Sequence, residues 1–284
     1  SKAMALASVV GMDRLWEYSA QVEATGSVAA GAALPRIIAV PTTAGTGSEV
    51  GTHAVITDEE REGKRSVHHP EMLPAAVIAD PVVTQGLGRE ITATTGMDAL
   101  SHNLEAFCSP GFYPMHDAIA IQGLFHIKDW LLMAHREPRQ LEARVYVMAA
   151  SIMGAIAFEK GLGAMHAIAH AVGARYSTHH GKVIGVTVPY VLKFNRRRVE
   201  DKLIHLARVL GLSHHNFDAV LGWVLDLRQE LGIPATLGEL GVTEDELPVM
   251  VERALQDGNA VTNPVPLRAD RLTRLCTNMI RGRL

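Results

Sequence analysis

With 284 residues, 48% hydrophobic and 20% charged, the chain has the composition of a globular protein with a sizeable core, not of a disordered or fibrous one. Its net charge of −3 and its single short basic run, at 196–198, exclude a nucleic-acid-binding surface. Apolar runs such as 36–40 and 183–192 are too short to cross a bilayer, and two cysteines without a disulfide framework predict a cytoplasmic protein with no membrane partner.

The first third of the chain alternates helix and strand signals. Residues 3–10 predict a helix, and the apolar run 36–40 predicts a buried parallel strand that leads into a Thr/Gly-rich loop. Residues 55–57 and 75–79 predict two further strands. We therefore expect an α/β portion, and we place its domain at residues 1–86.

Helical periodicity dominates after residue 87. Apolar residues at a spacing of 3.6 predict helices over 91–107, 115–134, 140–158, 164–174, 201–210 and 217–231. The run 183–188 indicates the one extended stretch expected in this part. The second domain, residues 87–284, is accordingly expected to be all helical.

Histidine is in excess, at 14 residues, and several histidines lie in apolar helical segments. Asp98 and His102 stand at positions i and i+4, on one face of a helix for which Thr94 or Thr95 is the expected N-cap. A lone aspartate there is more often a helix-start residue than a ligand, and a lone histidine on an apolar face is more often a core residue.

A second apolar helix repeats the spacing with His166 and His170, and the pair His179 and His180 follows a predicted turn. Burying several such side chains without a shared partner would leave their polar atoms unsatisfied. The pattern therefore leaves two interpretations open, a shared metal site and structural histidines. Imidazoles and a carboxylate without thiolate suit Fe²⁺, Zn²⁺, Mn²⁺ or Co²⁺.

Four stretches give the chain a family resemblance. It resembles the iron-containing (group III) alcohol dehydrogenases in PTTAGTGSEV at 41–50, TGMDALSHNLEAF at 95–107, GAMHAIAHAVGARYSTHHG at 163–181 and NAVTNPVPL at 259–267. The order and spacing match that family over nearly the whole chain. The resemblance implies a dehydroquinate synthase-like architecture, in which the α/β remnant belongs to a Rossmann-like NAD(P)-binding domain and the all-α domain binds metal and substrate.

The resemblance also implies roles for the histidines. His180 rather than His179 precedes the glycine of the motif, and His170 matches a residue near the nicotinamide that is not a ligand. We expect His170 to help the proton leave. The implied metal ligands are Asp98, His102, His166 and His180.

The Thr/Gly-rich loop follows an apolar strand and presents hydroxyl and backbone N–H groups, as a phosphate-binding turn does, although such a loop alone is more often a plain turn. Lys64 matches a family lysine that hydrogen-bonds the nicotinamide ribose; otherwise it would be a surface lysine in a charged turn. The dinucleotide contacts that the resemblance implies in the loop are Thr42, Thr43, Gly45, Thr46 and Ser48.

The start of the chain departs from the family pattern. The family begins with a GGGS phosphate-binding turn and a helix that reads D-x-x-K-A, whereas this chain begins at Ser1-Lys2-Ala3. We expect most of the dinucleotide-binding domain to be absent from the sequence, and the strand at 36–40 to lack sheet neighbours.

The expected reaction is hydride transfer between a small primary alcohol or diol, or its aldehyde, and NAD, with NADP also open. Fe²⁺ is the expected ion, with Zn²⁺ or another divalent ion open, and a homo-oligomer (dimer or larger) is implied. One alternative is a metal- and NAD-dependent lyase of the dehydroquinate-synthase type, which the scarcity of Arg and Lys around 98–107 and 163–181 disfavours. The other is a non-catalytic helical interaction domain.

Overall fold

The structure is a computed structural model that describes residues 1–19, 33–58, 63–176 and 178–284. Within these ranges an α/β remnant precedes a helical bundle. The remnant contains α1 (Lys2–Val10), β1 (Ile38–Ala39), β2 (His53–Asp58), β3 (Gly63–His68) and β4 (Ala76–Val77). The bundle contains α2 (Arg89–Cys108), α3 (Pro114–Arg136), α4 (Leu141–Ala157), α5 (Ala164–Gly173), α6 (His180–Val209), α7 (Phe217–Glu230), α8 (Leu247–Gln256) and α9 (Ala269–Arg281).

The strands form two separate pairs. β1 pairs in parallel with β4, with Ile38 opposite Ala76, and β2 pairs antiparallel with β3, with His53 opposite His68. The three predicted strands are confirmed, and β1 has β4 as a neighbour, contrary to the expectation that it would have none. The prediction that this strand is buried is wrong: Ile38 is 65% exposed, because no element of the described chain packs over it.

The sequence pattern does not reveal β3. Lys64 is the second residue of this strand, where pairing with β2 extends the chain. Val67 on the same strand is fully buried in a small core with Leu6, Leu15, Tyr18 and Met72. Arg65 forms a salt bridge with Asp58 at 2.8 Å, and its guanidinium lies over the ring of Trp16. These two contacts cover the edge of that core.

Six of the predicted helices are confirmed as α1, α2, α3, α4, α5 and α7, and 201–210 is the end of α6. The extended stretch predicted at 183–188 is wrong, since it lies inside α6. Its β-branched side chains favour a strand locally, but α6 packs against α2, α5 and α7. Burial on several sides overrides the local preference.

The predicted N-cap of α2 is also wrong. The helix begins at Arg89 after Gly88, so Thr94 and Thr95 lie within it. Their hydroxyls donate back to backbone carbonyls one turn earlier, at Glu90 and Ile91. A threonine whose hydroxyl donates to the carbonyl of residue i−4 lies inside a helix and is not its N-cap.

The C-terminal helices α8 and α9 are absent from the predicted set. The apolar stripe of α9, which consists of Leu272, Leu275, Cys276 and Met279, has the i, i+3, i+4, i+7 spacing of an amphipathic helix. The signal was therefore present in the sequence. α8 packs on α5 and α9.

α2 is the central helix, buried over most of its length and packed against α3, α4 and α6. The stretch Leu141–Lys160, which includes α4, is long and apolar enough to cross a membrane by length and composition. Half of its apolar window is buried, and α4 packs against α2 and α3, as the core helix of a bundle does.

The close approach of α2 and α3 can be tested with a glycine pair. A Cβ at Gly123 would lie 2.1 Å from Asn103 Oδ1, whereas a Cβ at Gly222 on α7 would have nothing within 4 Å. Alanine improves helix propensity by about 1 kcal/mol at both positions. We expect Gly222→Ala to raise the free energy of unfolding and Gly123→Ala to lower it by about 1–3 kcal/mol, as measured by urea denaturation. Equal effects would argue against the tight contact.

Candidate active site

Three helices bring a carboxylate and three imidazoles together. Asp98 and His102 lie one turn apart on α2, His166 lies in the first turn of α5, and His180 is the first residue of α6. The first three side chains are almost fully buried. Helical spacing places the α2 pair, whereas tertiary packing brings the other two to it.

The distances describe a compact cluster. Asp98 Oδ1 lies 3.9 Å from His102 Nε2, 3.8 Å from His166 Nε2 and 3.5 Å from His180 Nε2. The Nε2 atoms of His102 and His166 are 2.9 Å apart. Asp98, His102 and His166 each offer one ligand atom within 4.8 Å of the others. In the described part of the chain the buried Asp98 Oδ1 has no hydrogen-bond partner.

The electrostatics of the cluster follow from burial and from the carboxylates. Burial opposes the charge of Asp98, but His102, His166 and His180 outweigh it and hold the pKa of this carboxyl well below its usual range. Burial lowers the pKa of His102 to about 3. For His166 burial acts in the same direction, but Asp98 and Glu105 outweigh it and raise the pKa to about 9. Asp98 is therefore anionic and His102 neutral, and both offer lone pairs.

His180 lies at the edge of the cluster. Its side chain is 39% exposed, and its ring centroid is 5.7 Å from that of His166. The neighbouring His179 is instead the N-cap of α6, where its Nδ1 accepts from the N–H of Gly181. A Cβ at Gly181 would lie 2.1 Å from the carbonyl oxygen of Thr94, so glycine lets α6 begin directly against α2.

His170 lies beside the cluster, one turn after His166 on α5. Its ring is stacked 5.6 Å from that of His180, and its Nδ1 lies 2.8 Å from Asp257 Oδ2. Burial would raise the pKa of Asp257, but His170 and Asn259 outweigh it and lower the pKa. Asp257 is absent from the predicted site residues, and its position just before the 259–267 motif was the one available signal.

The Thr/Gly-rich loop reaches the cluster at one point. Thr46 Oγ1 lies 3.4 Å from Asp98 Oδ2, and Gly45 packs on Thr95 of α2. The remaining predicted contacts are exposed, and no hydrogen bond among described residues joins their side chains to the cluster; they are Thr42, Thr43, Ser48 and, on β3, Lys64.

Lys2 supports this loop and was missed as a functional residue. Its Nζ donates to the carbonyls of Ser48 and Gly51, at 2.8 and 2.9 Å. Burial lowers the pKa of Lys2 to about 8, against the attraction of Glu49. The available signal was that Lys2 and Ala3 match the last two residues of the family's D-x-x-K-A helix pattern. Lys2 therefore fastens α1 to the loop.

Glu105 was also missed, although it lies three residues after His102 on the same helix. Its Oε2 is 2.6 Å from His166 Nδ1, and its Oε1 accepts from the N–H of Met165 at 2.7 Å. The spacing of Asp98, His102 and Glu105 at i, i+4 and i+7 was the readable signal. The cluster thus has a second carboxylate behind one of its imidazoles.

Comparison with known proteins identifies the family. The model described as the Fe-containing alcohol dehydrogenase family, C-terminal, matches residues 92–280, and that described as iron-containing alcohol dehydrogenase matches residues 1–81. The chain belongs to the iron-containing alcohol dehydrogenase family. The 4-hydroxybutyrate dehydrogenase of Cupriavidus necator is 38% identical over 237 residues, which cover 80% of this chain and 61% of that protein. The 1,3-propanediol dehydrogenase of Klebsiella pneumoniae is 38% identical over 238 residues, which cover 81% and 62%.

Solved structures of iron-containing alcohol dehydrogenases share the fold. A 1,3-propanediol oxidoreductase aligns with a TM-score of 0.90 and 34% identity over 98% of this chain and 73% of that one. The sulfoacetaldehyde reductase of Bifidobacterium kashiwanohense in complex with NAD⁺ aligns with a TM-score of 0.85 and 30% identity, over 99% and 72%. The chain spans about three fifths of the length of the two curated relatives named above.

The support of the loop by Lys2 predicts a change in amide exchange. The N–H groups of Val50 and Gly51 bond within the loop, to the carbonyls of Gly47 and Ser48. Because Lys2→Met removes two charged hydrogen bonds, we expect these amides to exchange about tenfold faster. Hydrogen exchange read by mass spectrometry tests this, with the exposed Lys193→Met as the control. Unchanged exchange in the Lys2→Met variant would show that the loop keeps its structure without the hydrogen bonds from Lys2.

Proposed function

We propose that the chain acts as a divalent-metal-dependent alcohol dehydrogenase. The reaction is hydride transfer between a small primary alcohol or diol, or its aldehyde, and NAD(P). The observation that carries the proposal is the buried Asp98 Oδ1, which faces three imidazole Nε2 atoms without a hydrogen-bond partner among the described residues. The names of three relatives support the substrate class, because they are dehydrogenases of a diol, of a hydroxy acid and of methanol.

The donor set fits a divalent cation. One carboxylate and three imidazoles suit Fe²⁺ or Zn²⁺, and the family name favours iron. A bound cation would be the partner that the buried Asp98 carboxylate lacks within the cluster. When bound, the ion would act as a Lewis acid that lowers the pKa of the alcohol hydroxyl. The residues proposed to hold it are Asp98, His102, His166 and His180.

His170 is proposed to carry the proton. Its Nδ1–H donates to Asp257, which leaves the lone pair of Nε2 to accept a proton. The side chain is 20% exposed and stacks on His180, so a proton taken beside the cluster has a route to solvent. The ring of Phe158 lies 5.1 Å from that of His102 and is an apolar neighbour of the cluster.

The loop is proposed to hold the dinucleotide through Thr42, Thr43, Gly45, Thr46 and Ser48, with Lys64 on the ribose. Its contact with Asp98 through Thr46 would bring cofactor and metal side by side. In this scheme residues 1–86 belong to the cofactor domain and residues 87–284 form the metal and substrate domain. NAD is preferred over NADP, as in the NAD-dependent methanol dehydrogenase of Bacillus methanolicus, 34% identical over 235 residues. A cytoplasmic homo-oligomer, dimer or larger, is proposed from the resemblance.

The lyase and the interaction domain are not favoured. A lyase acting on a phosphate or carboxylate substrate would need cations at the site, and the polar partners of the cluster in the described residues are carboxylates, imidazoles and Thr46. The relatives are dehydrogenases, reductases and oxidoreductases.

Metal binding is the first test. We expect the protein, reconstituted with Fe²⁺ without oxygen or with Zn²⁺, to bind one ion per chain by equilibrium dialysis and elemental analysis. His166→Ala should weaken binding by more than about 100-fold, because it removes a proposed ligand and not only an outer partner. The exposed His205→Ala on α6 is the control. Absence of stoichiometric metal in the parent protein would favour structural histidines.

Turnover is the second test. The metal-loaded protein is assayed with 1,3-propanediol, 4-hydroxybutyrate and methanol, with NAD⁺ or NADP⁺, by the absorbance of the reduced cofactor. We expect His170→Ala to lower kcat by about 10²-fold or more while one ion stays bound, because proton transfer is lost and the ligands remain. An unchanged kcat would remove His170 from the mechanism, and no turnover with any alcohol would contradict the proposed reaction for this chain.

A further inference from the structure

Glu105 is a buried carboxylate with two different partners. It lies on α2, and its side chain is 4% exposed. Oε2 lies 2.6 Å from His166 Nδ1, while Oε1 lies 2.7 Å from the backbone nitrogen of Met165. One carboxylate therefore contacts both the backbone and the side chain of the first turn of α5.

The start of α5 depends on acceptors from elsewhere in the chain. Its N-cap is Gly163, which has no side chain to accept a bond. The N–H of Ala164 donates to Asn263 Oδ1, and that of Met165 donates to Glu105 Oε1. A Cβ at Gly163 would lie 2.8 Å from the first oxygen and 2.9 Å from the second. Glycine thus leaves room for both acceptors, which satisfy N–H groups that a helix start leaves open.

The contact with His166 has a separate chemical consequence. A carboxylate offers acceptors only, so the proton of a neutral His166 must lie on Nδ1. The lone pair then lies on Nε2, the atom that faces Asp98 and His102. In metal sites an outer carboxylate on the far nitrogen fixes the ring and its tautomer in this way.

We propose that Glu105 is a positioning residue, which holds the Nδ1–H of His166 and so presents Nε2 to the metal. The inference rests on the proposed metal function. It goes further in assigning a role to a residue that is not one of the proposed ligands. It also gives the two oxygens of Glu105 different roles. Oε1 supports the start of α5, and Oε2 fixes the tautomer of His166, the proposed metal ligand.

Glutamine at this position separates the two roles. In the metal-free Glu105→Gln variant, the amide oxygen can still accept from Met165 while the amide NH₂ group donates to His166 Nδ1. Both bonds are kept, but the single proton of a neutral His166 then lies on Nε2, where it blocks the ion. Binding the ion would then require giving up one of the two bonds. Alanine, in contrast, removes the support of α5 and leaves the tautomer of His166 free.

The experiment compares Glu105→Gln and Glu105→Ala with the parent protein. Zn²⁺ affinity is measured by competition with a chromophoric chelator, Co²⁺ geometry by visible absorption, and metal-free stability by urea denaturation. For Glu105→Gln we expect a denaturation midpoint between those of the parent and Glu105→Ala, a Zn²⁺ affinity about 10- to 100-fold weaker than that of the parent and an altered Co²⁺ spectrum. For Glu105→Ala we expect a lower midpoint and a smaller loss of affinity than for Glu105→Gln.

Asn263→Ala is the matched control, because it removes the other acceptor at the start of α5 without touching the His166 ring. It should lower the denaturation midpoint and keep the Zn²⁺ affinity and Co²⁺ spectrum of the parent. Parent-like affinity in Glu105→Gln, or an equal loss in Asn263→Ala, would overturn the proposal while the metal function stands. A parent protein that binds no ion would overturn both.

Discussion

The buried carboxylate of Asp98 is the constraint on which the rest of the structure depends. An anion in a helical core is costly unless polar partners surround it, and here those partners come from two other helices as well as its own. α5 and α6 must therefore both begin at the same level of α2. Small residues make this convergence possible, since Gly181 lets α6 start against Thr94 and Gly163 admits Glu105 and Asn263 to the start of α5.

The same carboxylate joins the two parts of the chain. Its second oxygen is within reach of Thr46, and the loop that carries Thr46 is fastened to α1 by Lys2. A short series of contacts thus runs from the first helix to the centre of the bundle. Hydride transfer requires a cofactor and a reacting carbon in contact. For the proposed reaction, a loop attached to both sides is a physical means of keeping that distance fixed.

The features that could be predicted from the sequence are those set by local spacing. Asp98 and His102 are one helical turn apart, and the positions of most helices follow from their apolar periodicity. The contacts that complete the site are not local: His166 meets Glu105 across 61 residues and His170 meets Asp257 across 87. No period in the sequence encodes such pairs. Local signals also failed where burial or pairing overrode them, as in the β-branched run inside α6 and the polar strand β3.

The cluster is closed on one side and open on the other, and this asymmetry matters for its chemistry. The side chains of Asp98, His102 and His166 are between 3% and 8% exposed, and behind His166 the carboxylate of Glu105 is equally buried. The side chains of His180 and His170 are 39% and 20% exposed. Water and small molecules therefore reach the cluster from the side of these two residues. Three of the proposed ligands thus lie on the buried side, while the fourth, His180, and the proposed proton carrier, His170, lie on the open side. In the proposed reaction the alcohol and its proton would use that open side, so the buried ligands can keep their geometry while substrate and proton pass.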